Sequence, residues 1–230
     1  MLAKQYFVGL LVISILASSA LADVSVRVSA TTVKYRAFDP AKPPAEMPHL
    51  THGEEAVTVC GFEFSAEPQY EVASRQRGAD GNWTVEIAVN GVGVYVRQSI
   101  VIWTPKGVSA KLKAHEEGHR KLDEMTYKKL AENAARAAGA DMDGHRFTGE
   151  GATVAAATND AVQRMFKQAG ADYLAQTATV NNEINDTYDS ITRHGTNDVP
   201  EAEAIKQAIE RYDHNHPTTR PATDTGDQKK

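Results

Sequence analysis

The first part of the chain shows the alternation of apolar and polar side chains that is typical of β-strands. Residues 24–28 alternate valine with polar residues, and residues 31–38 give a second candidate strand. A period of two residues indicates a strand with one buried face. Four prolines within residues 40–48 then interrupt the pattern. Because proline cannot donate to a strand ladder, this stretch is expected to be a loop.

A second run of alternation covers residues 83–89 and is followed directly by Asn90-Gly91. That dipeptide favours a tight hairpin turn, since both central residues of such a turn need positive φ. Residues 92–103 would then form the return strand, and Asp80-Gly81 offers another turn upstream. We therefore expect a three-stranded antiparallel meander over residues 69–103, in which the return strand presents a free edge to an extended peptide.

The pattern changes to helical spacing after residue 107. Residues 109–138 lack proline and are rich in Ala, Leu, Lys and Glu, which favours a helix. Residues 139–152 are expected to be a loop. A second helical region follows over 153–192, which we expect Gly170 to bend or split, and a short helix is predicted over 201–212.

The two ends of the chain carry different signals. Lys4 precedes an uncharged apolar run over residues 7–16, and Ala20-Leu21-Ala22 resembles a signal-peptidase site. The run is shorter than the roughly 20 residues that a membrane-spanning helix needs. We therefore expect a signal peptide over residues 1–22, cleaved after Ala22, and a periplasmic or secreted protein. The tail over residues 213–230 is polar and is expected to be disordered.

Composition and charge narrow the range of functions. The 230 residues are 41% hydrophobic and carry a formal net charge of −5, which is ordinary for a globular protein and gives no basic surface for nucleic acid. Cys60 is the one cysteine, so intramolecular disulfides and sites with several thiolates are excluded. Cys60 lies in an alternating apolar stretch, where we expect a buried, unreactive thiol.

The chemistry of the chain is concentrated in an H-E-x-x-H motif formed by His115, Glu116 and His119. Residues four apart share one face of a helix, so both imidazoles can reach one metal ion. Glu116 can then act as the general base toward a water at that metal, which is the chemistry of a zinc hydrolase. A motif this short arises by chance in a chain of this composition with a probability of about 0.02. The alternative is a pair of core histidines beside a solvated glutamate.

A catalytic zinc ion needs a third protein ligand, and the residues leave several candidates open. His194 continues the apolar stripe to the end of the second helical region. Glu183 lies earlier in the same region. Asp123 follows His119 by four residues, so it could be a ligand or could orient one.

The chain resembles a bacterial family of predicted secreted zinc-dependent proteases. The resemblance rests on Trp103-Thr104-Pro105, on His115-Glu116-Glu117-Gly118-His119, and on Tyr188-Asp189-x-x-Thr192-x-His194-Gly195. It implies a zinc site formed by His115, His119 and His194, with Asp189 supporting the ligands and Tyr188 stabilising an oxyanion. This chain has Glu117 where the family usually has glutamine.

Together these observations predict an α+β fold: an antiparallel, β-rich N-terminal part over 23–104, followed by a zincin-like helical part over 105–212 that carries the HExxH motif. The predicted function is that of an exported zinc metallopeptidase acting on a peptide or protein substrate. Two alternatives stay open on the same metal chemistry. One is an amidase that acts on cell-wall peptides, and the other is a non-catalytic zinc-binding module. An exported helical binding protein without a metal is a further alternative.

Overall fold

The structure, a computed structural model, describes residues 24–50 and 54–217. The expected signal peptide and residues 218–230 of the expected tail lie outside the described residues. No helix in the described part is both long enough and apolar enough to span a membrane. The elements run in the order β1 (Val24–Val28), β2 (Thr32–Phe38), β3 (Val57–Arg77), β4 (Trp83–Pro105), α1 (Ala110–Ala140), β5 (Arg146–Gly151), α2 (Val154–Gln176), α3 (Ala178–Thr192) and α4 (Glu201–Asn215).

Strand β4 is the centre of a five-stranded mixed sheet. One of its edges pairs antiparallel with β3 along almost its whole length. The other edge is shared by β5, antiparallel at residues 83–88, and by β1 and β2, both parallel, at residues 92–96 and 99–105. The first two predicted strands are confirmed as β1 and β2, but the expectation of a purely antiparallel sheet is wrong. The expected free edge at residues 92–103 is also wrong, because both edges of β4 are paired there.

The hairpin turn lies at a different place from the main expectation. Asn90 and Gly91 are inside β4, and the chain turns instead at residues 78–82, where Gly81 has φ +85°. The carboxylate of Asp80 accepts the backbone N–H of Asn82 at 3.0 Å, which stabilises this turn. The extra residue of β4 is absorbed by a shift in register opposite Gln69. Strand partners on both sides of β4 outweigh the local turn preference of Asn90-Gly91.

The predicted first helix is confirmed as α1. It begins after Ser109, whose hydroxyl accepts the backbone N–H of Leu112 at 3.1 Å and so caps the helix. Buried alanines of α1 and the side chains of α2 pack against the valines of β4. The expected loop over residues 139–152 is wrong in part, because residues 146–151 form β5 along the edge of β4.

The second helical region is broken at Thr177 rather than at Gly170. Thr177 has φ −123° and ψ −71°, and its hydroxyl donates to the carbonyl of Tyr173 at 2.7 Å. Gly170 remains inside a continuous α2. The break lets α3 lie against α1, where Ile184, Tyr188 and Ile191 join a cluster with Leu122.

The predicted short helix is confirmed as α4, and it continues to Asn215. Residues 213–215, expected to belong to a disordered tail, are therefore helical. The described residues have a mixed α/β fold in which α1 and α2 cover one face of the sheet. The opposite face carries exposed polar pairs such as Arg97 with Glu63 and Tyr95 with Glu67. The start of β3, the first half of α1 and one side of α3 converge around one cleft.

Candidate metal centre

Helix α1 presents the two histidines of the HExxH motif on one face. His115 and His119 are one turn apart, and their Nε2 atoms are 3.2 Å from each other. Their rings meet edge to face, with centroids 4.6 Å apart. The His115 side chain is only 6% exposed and the His119 side chain 13%. The helical spacing thus aims two nitrogen donors at one point, as the sequence predicts.

Helix α3 adds a carboxylate to the same point. Oδ1 of Asp189 is 3.2 Å from Nε2 of His115 and 3.0 Å from Nε2 of His119. Two ligands of a tetrahedral zinc ion with bonds of about 2.0–2.2 Å lie roughly 3.3–3.5 Å from each other. The three donors are therefore spaced almost as such an ion would hold them. Two imidazoles and one carboxylate also match a known donor set of catalytic zinc sites, so these residues fit a divalent metal.

The charges at this cluster couple His119 to Asp189. Burial opposes the charged form of His119, but the hydrogen bond and negative charge of Asp189 outweigh this effect and raise the pKa of His119 to about 9. Burial would raise the pKa of Asp189. Hydrogen bonds from His115 and His119 outweigh it and hold that pKa well below its usual range. Asp189 is therefore ionised at neutral pH, and a metal ion bound here would take the place of the proton that His119 shares with it.

His194 borders the cluster on its exposed side. Its Nδ1 is 3.5 Å from Oδ1 of Asp189 and 3.9 Å from Oε1 of Glu54, and its side chain is 47% exposed. His194 sits in a left-handed turn in which Arg193, His194 and Gly195 all have positive φ. A Cβ on Gly195 would lie 2.9 Å from Cβ of His115, so only glycine lets the turn approach α1 so closely. His194 as a zinc ligand stays a prediction.

The general-base candidate lies in the same cleft. Glu116 is 3% exposed, and its carboxylate accepts a hydrogen bond from Oγ1 of Thr58, on β3, at 2.7 Å. Burial raises the pKa of Glu116, while the bond from Thr58 and the charge on His119 act against that change. The cleft has a volume of about 200 Å³ and is lined by residues of β3, α1, α3 and the left-handed turn.

Tyr188 lies behind the cluster rather than in the cleft. Its ring stacks on His115 with centroids 5.2 Å apart, and its hydroxyl donates to the carbonyl of His115 at 3.4 Å. A Cβ on Gly118 would overlap that hydroxyl and the ring. The structure thus makes Tyr188 a support for α1, and its role as an oxyanion stabiliser stays a prediction.

Asp123 belongs to a buried polar network that the sequence does not predict. Its carboxylate accepts hydrogen bonds from the side-chain amides of Asn181 and Asn185, at 2.8 and 3.0 Å. Burial raises the pKa of Asp123 to about 6, against the effect of the bond from Asn181. Asn185 in turn contacts His119. The one sequence signal is the spacing of four residues between Asn181 and Asn185 on the helix that carries Asp189.

Glu183, an alternative third ligand, is not brought to the cluster. It lies on the exposed side of α3, with Oε2 3.3 Å from Nε2 of His216. Cys60 lines the cleft and is partly buried. Burial raises the pKa of the Cys60 thiol, and its sulfur accepts a hydrogen bond from Gln98 at 3.2 Å. A protonated thiol of this kind is a poor metal ligand at neutral pH.

Comparisons with protein-family models, with curated proteins and with solved structures gave no match. The resemblance to predicted secreted zinc proteases therefore stays an expectation.

Proposed function

We propose that the protein is an exported zinc metallopeptidase that hydrolyses peptide bonds with Glu116 as the general base. The observation that carries the proposal is the position of Glu116 in one cleft with three converging donors, from His115, His119 and Asp189. Zinc bound by these donors would polarise the scissile carbonyl and acidify the attacking water. The exported location rests on the N-terminal sequence pattern alone.

Glu116 accepts a proton from the attacking water and returns it to the leaving amine. Its raised pKa suits this exchange, because a carboxylate buried away from water is a stronger base than an exposed one. Thr58 donates to one carboxylate oxygen at 2.7 Å and leaves the other oxygen for the water. Thr58 is thus a positioning residue that links the Glu116 carboxylate to β3.

The outer edge of β3 offers the place where a peptide substrate binds. Within the described residues β3 pairs only with β4, so its second edge has backbone groups free to pair. Val57, Thr58 and Cys60, at the start of β3, line the cleft that contains Glu116. An extended peptide added to this edge would pass the general base, in the manner of strand addition. We therefore propose β3, rather than β4, as the peptide-binding edge.

The decisive experiment compares zinc content and turnover in protein beginning at residue 23. The wild type should contain about one zinc per chain, as expected for a single three-ligand site, and should cleave a labelled unfolded protein. Glu116→Gln should keep the zinc and lose about 10²–10⁴-fold in turnover, since it removes the base but no ligand. His119→Ala should lose both.

Thr158→Val is a matched control, because the Thr158 hydroxyl donates to the carbonyl of Val154 within α2 and Thr158 does not line the cleft. It should leave zinc content and turnover unchanged. Full function in Glu116→Gln with zinc retained would contradict catalysis and favour a non-catalytic zinc module. Cleavage of cell-wall peptides but not of unfolded proteins would instead assign the site to an amidase.

A second set of variants identifies the third ligand. The distances of 3.0 and 3.2 Å from Asp189 to the two histidines favour this carboxylate. Asp189→Ala should therefore lose zinc, while Glu183→Ala, an acidic control on the exposed side of α3, should retain it. If His194→Ala loses zinc and Asp189→Ala does not, the ligand is His194, as the family resemblance implies.

A further inference from the structure

We propose that Asn185 is a positioning residue that fixes the tautomer and the ring orientation of His119. The inference rests on the proposed metal function and deepens it, because it names what prepares one ligand of the site. Asn185 lies on α3, and its Oδ1 is 2.6 Å from Nδ1 of His119. Nε2 of the same ring faces Asp189 and His115. The two ring nitrogens therefore face different partners.

The neighbours of Asn185 determine which way its amide points. Nδ2 lies 3.0 Å from Oδ1 of Asp123 and 2.8 Å from the backbone carbonyl of Asn181. Both of these oxygens are acceptors, and Oδ1 of Asp123 already accepts from Nδ2 of Asn181 at 2.8 Å. Only the NH₂ group can face two acceptors favourably. The oxygen of the Asn185 amide must therefore face His119.

The proton on His119 follows from that orientation. Because Oδ1 of Asn185 can only accept, Nδ1 of His119 must be the donor of the bond at 2.6 Å. In the metal-free site Nε2 can also carry a proton and donate to Asp189; once that proton gives way to a metal, the proton kept on Nδ1 leaves the lone pair on Nε2. Nε2 is the atom that faces Asp189 and His115, 3.0 and 3.2 Å away. The network thus selects the tautomer that a ligand binding through Nε2 requires.

The network is rigid because its members stand on regular elements. Asp123 follows His119 by one turn of α1, and Asn181 and Asn185 are one turn apart on α3. Asp123 is 2% exposed, and its backbone carbonyl accepts from Gln98 of β4 at 2.8 Å. A carboxylate so enclosed holds both asparagine amides in place, and through them the histidine ring.

The two histidines differ in this support. Nδ1 of His115 is buried and has no hydrogen-bond partner among the described residues. Its ring is held by stacking on Tyr188 instead. Loss of the Asn185 amide should therefore act on His119 alone.

The test is the zinc affinity of Asn185→Leu, a substitution of similar volume that removes the acceptor. Competition with a chelator should give a zinc dissociation constant about 10–100-fold weaker than in the wild type, the usual effect of removing a partner of a ligand. The control is Asn133→Leu, at an exposed position on α1 14 residues beyond His119, which should leave the affinity unchanged. Asn185→Ala serves as a second variant if the leucine disturbs folding.

A spectroscopic measurement on the zinc-free protein separates this inference from the proposed function. The Nδ1–H proton of ¹⁵N-labelled His119 should give a slowly exchanging, low-field resonance in the wild type and lose it in Asn185→Leu. If that resonance persists in the variant, or if zinc affinity stays within twofold of the wild type, the positioning role is overturned. If the wild type binds no zinc, the proposed function fails, while the resonance still decides the role of Asn185.

Discussion

At the scale of single residues, the candidate site depends on two glycines that let neighbouring elements approach α1. Gly118 makes room for the ring of Tyr188, and Gly195 makes room for the ring of His115. Each contact holds a site residue against a backbone instead of against a flexible side chain. The position of His115 is therefore set by packing on two sides, although its Nδ1 has no hydrogen-bond partner among the described residues.

Gly118→Ala should lower both stability and zinc affinity. The added methyl group would overlap the Tyr188 hydroxyl, and overpacking of this kind typically costs about 1–3 kcal/mol. Urea denaturation measures the loss of stability, and chelator competition measures the loss of zinc. The double variant with Tyr188→Leu, which removes the overlapped ring, should lose less than the sum of the two single changes. Strict additivity would contradict a direct contact.

The site residues differ in how far the sequence alone predicts them. His115, Glu116 and His119 follow from helical spacing, because residues on one turn share a face whatever the rest of the fold does. Asp189 enters only through the family resemblance. Asn185 is not predicted at all, since an asparagine becomes informative only when its partners on another helix are known.

At the scale of the elements, long helices follow the local pattern and the sheet does not. The Asn90-Gly91 turn was wrong because β4 gains partners on both edges, which no local window contains. Strand β5 was missed because its short segment, with two glycines, lacks alternation. The helix break occurs at Thr177 because packing against α1 requires α3 to begin a new direction there. A single glycine such as Gly170 costs a helix only about 1 kcal/mol and does not by itself end α2.

A pair of glycine substitutions tests the packing of β5 on α2. A Cβ on Gly149 would overlap the backbone of Ala157 and Ala161, which cannot move aside as a flexible side chain can. Gly149→Ala should therefore destabilise the protein by about 2–3 kcal/mol in denaturant unfolding. In the control Gly170→Ala, the nearest atom is 3.7 Å away, and the gain in helix propensity should stabilise by about 0.5–1 kcal/mol. Equal effects at the two positions would contradict the close approach.

At the scale of the whole molecule, the site joins parts of the chain that are far apart in sequence. The strand β3 supplies the partner of the general base, α1 supplies two donors, and α3 supplies the third. A metal ion bound there would link these parts only in the folded state, so it would stabilise the native structure against the unfolded chain.

Thermal unfolding should therefore depend on zinc. At a free zinc concentration of 100 times the dissociation constant, the expected stabilisation is about 2.7 kcal/mol. For a protein of this size that corresponds to a rise in Tm of roughly 5–10 °C, lost on addition of a strong chelator. His119→Ala, the control without a complete site, should show the same Tm with and without zinc. A rise of equal size in that variant would indicate binding elsewhere.

The central position of β4 in the sheet also determines when β1 and β2 can pair during synthesis. Val24 and Thr32, in the first two strands, lie opposite Val92 and Ser99, so neither strand has a partner until β4 has been synthesised. Pairing between strands so distant along the chain first requires a long loop to close, which costs conformational entropy. This cost precedes the gain from the strand hydrogen bonds, so folding is slow. Strands β1 and β2 therefore have no partner in the sheet until residues 92–96 and 99–105 respectively have been synthesised, so a shorter N-terminal fragment cannot form the native sheet.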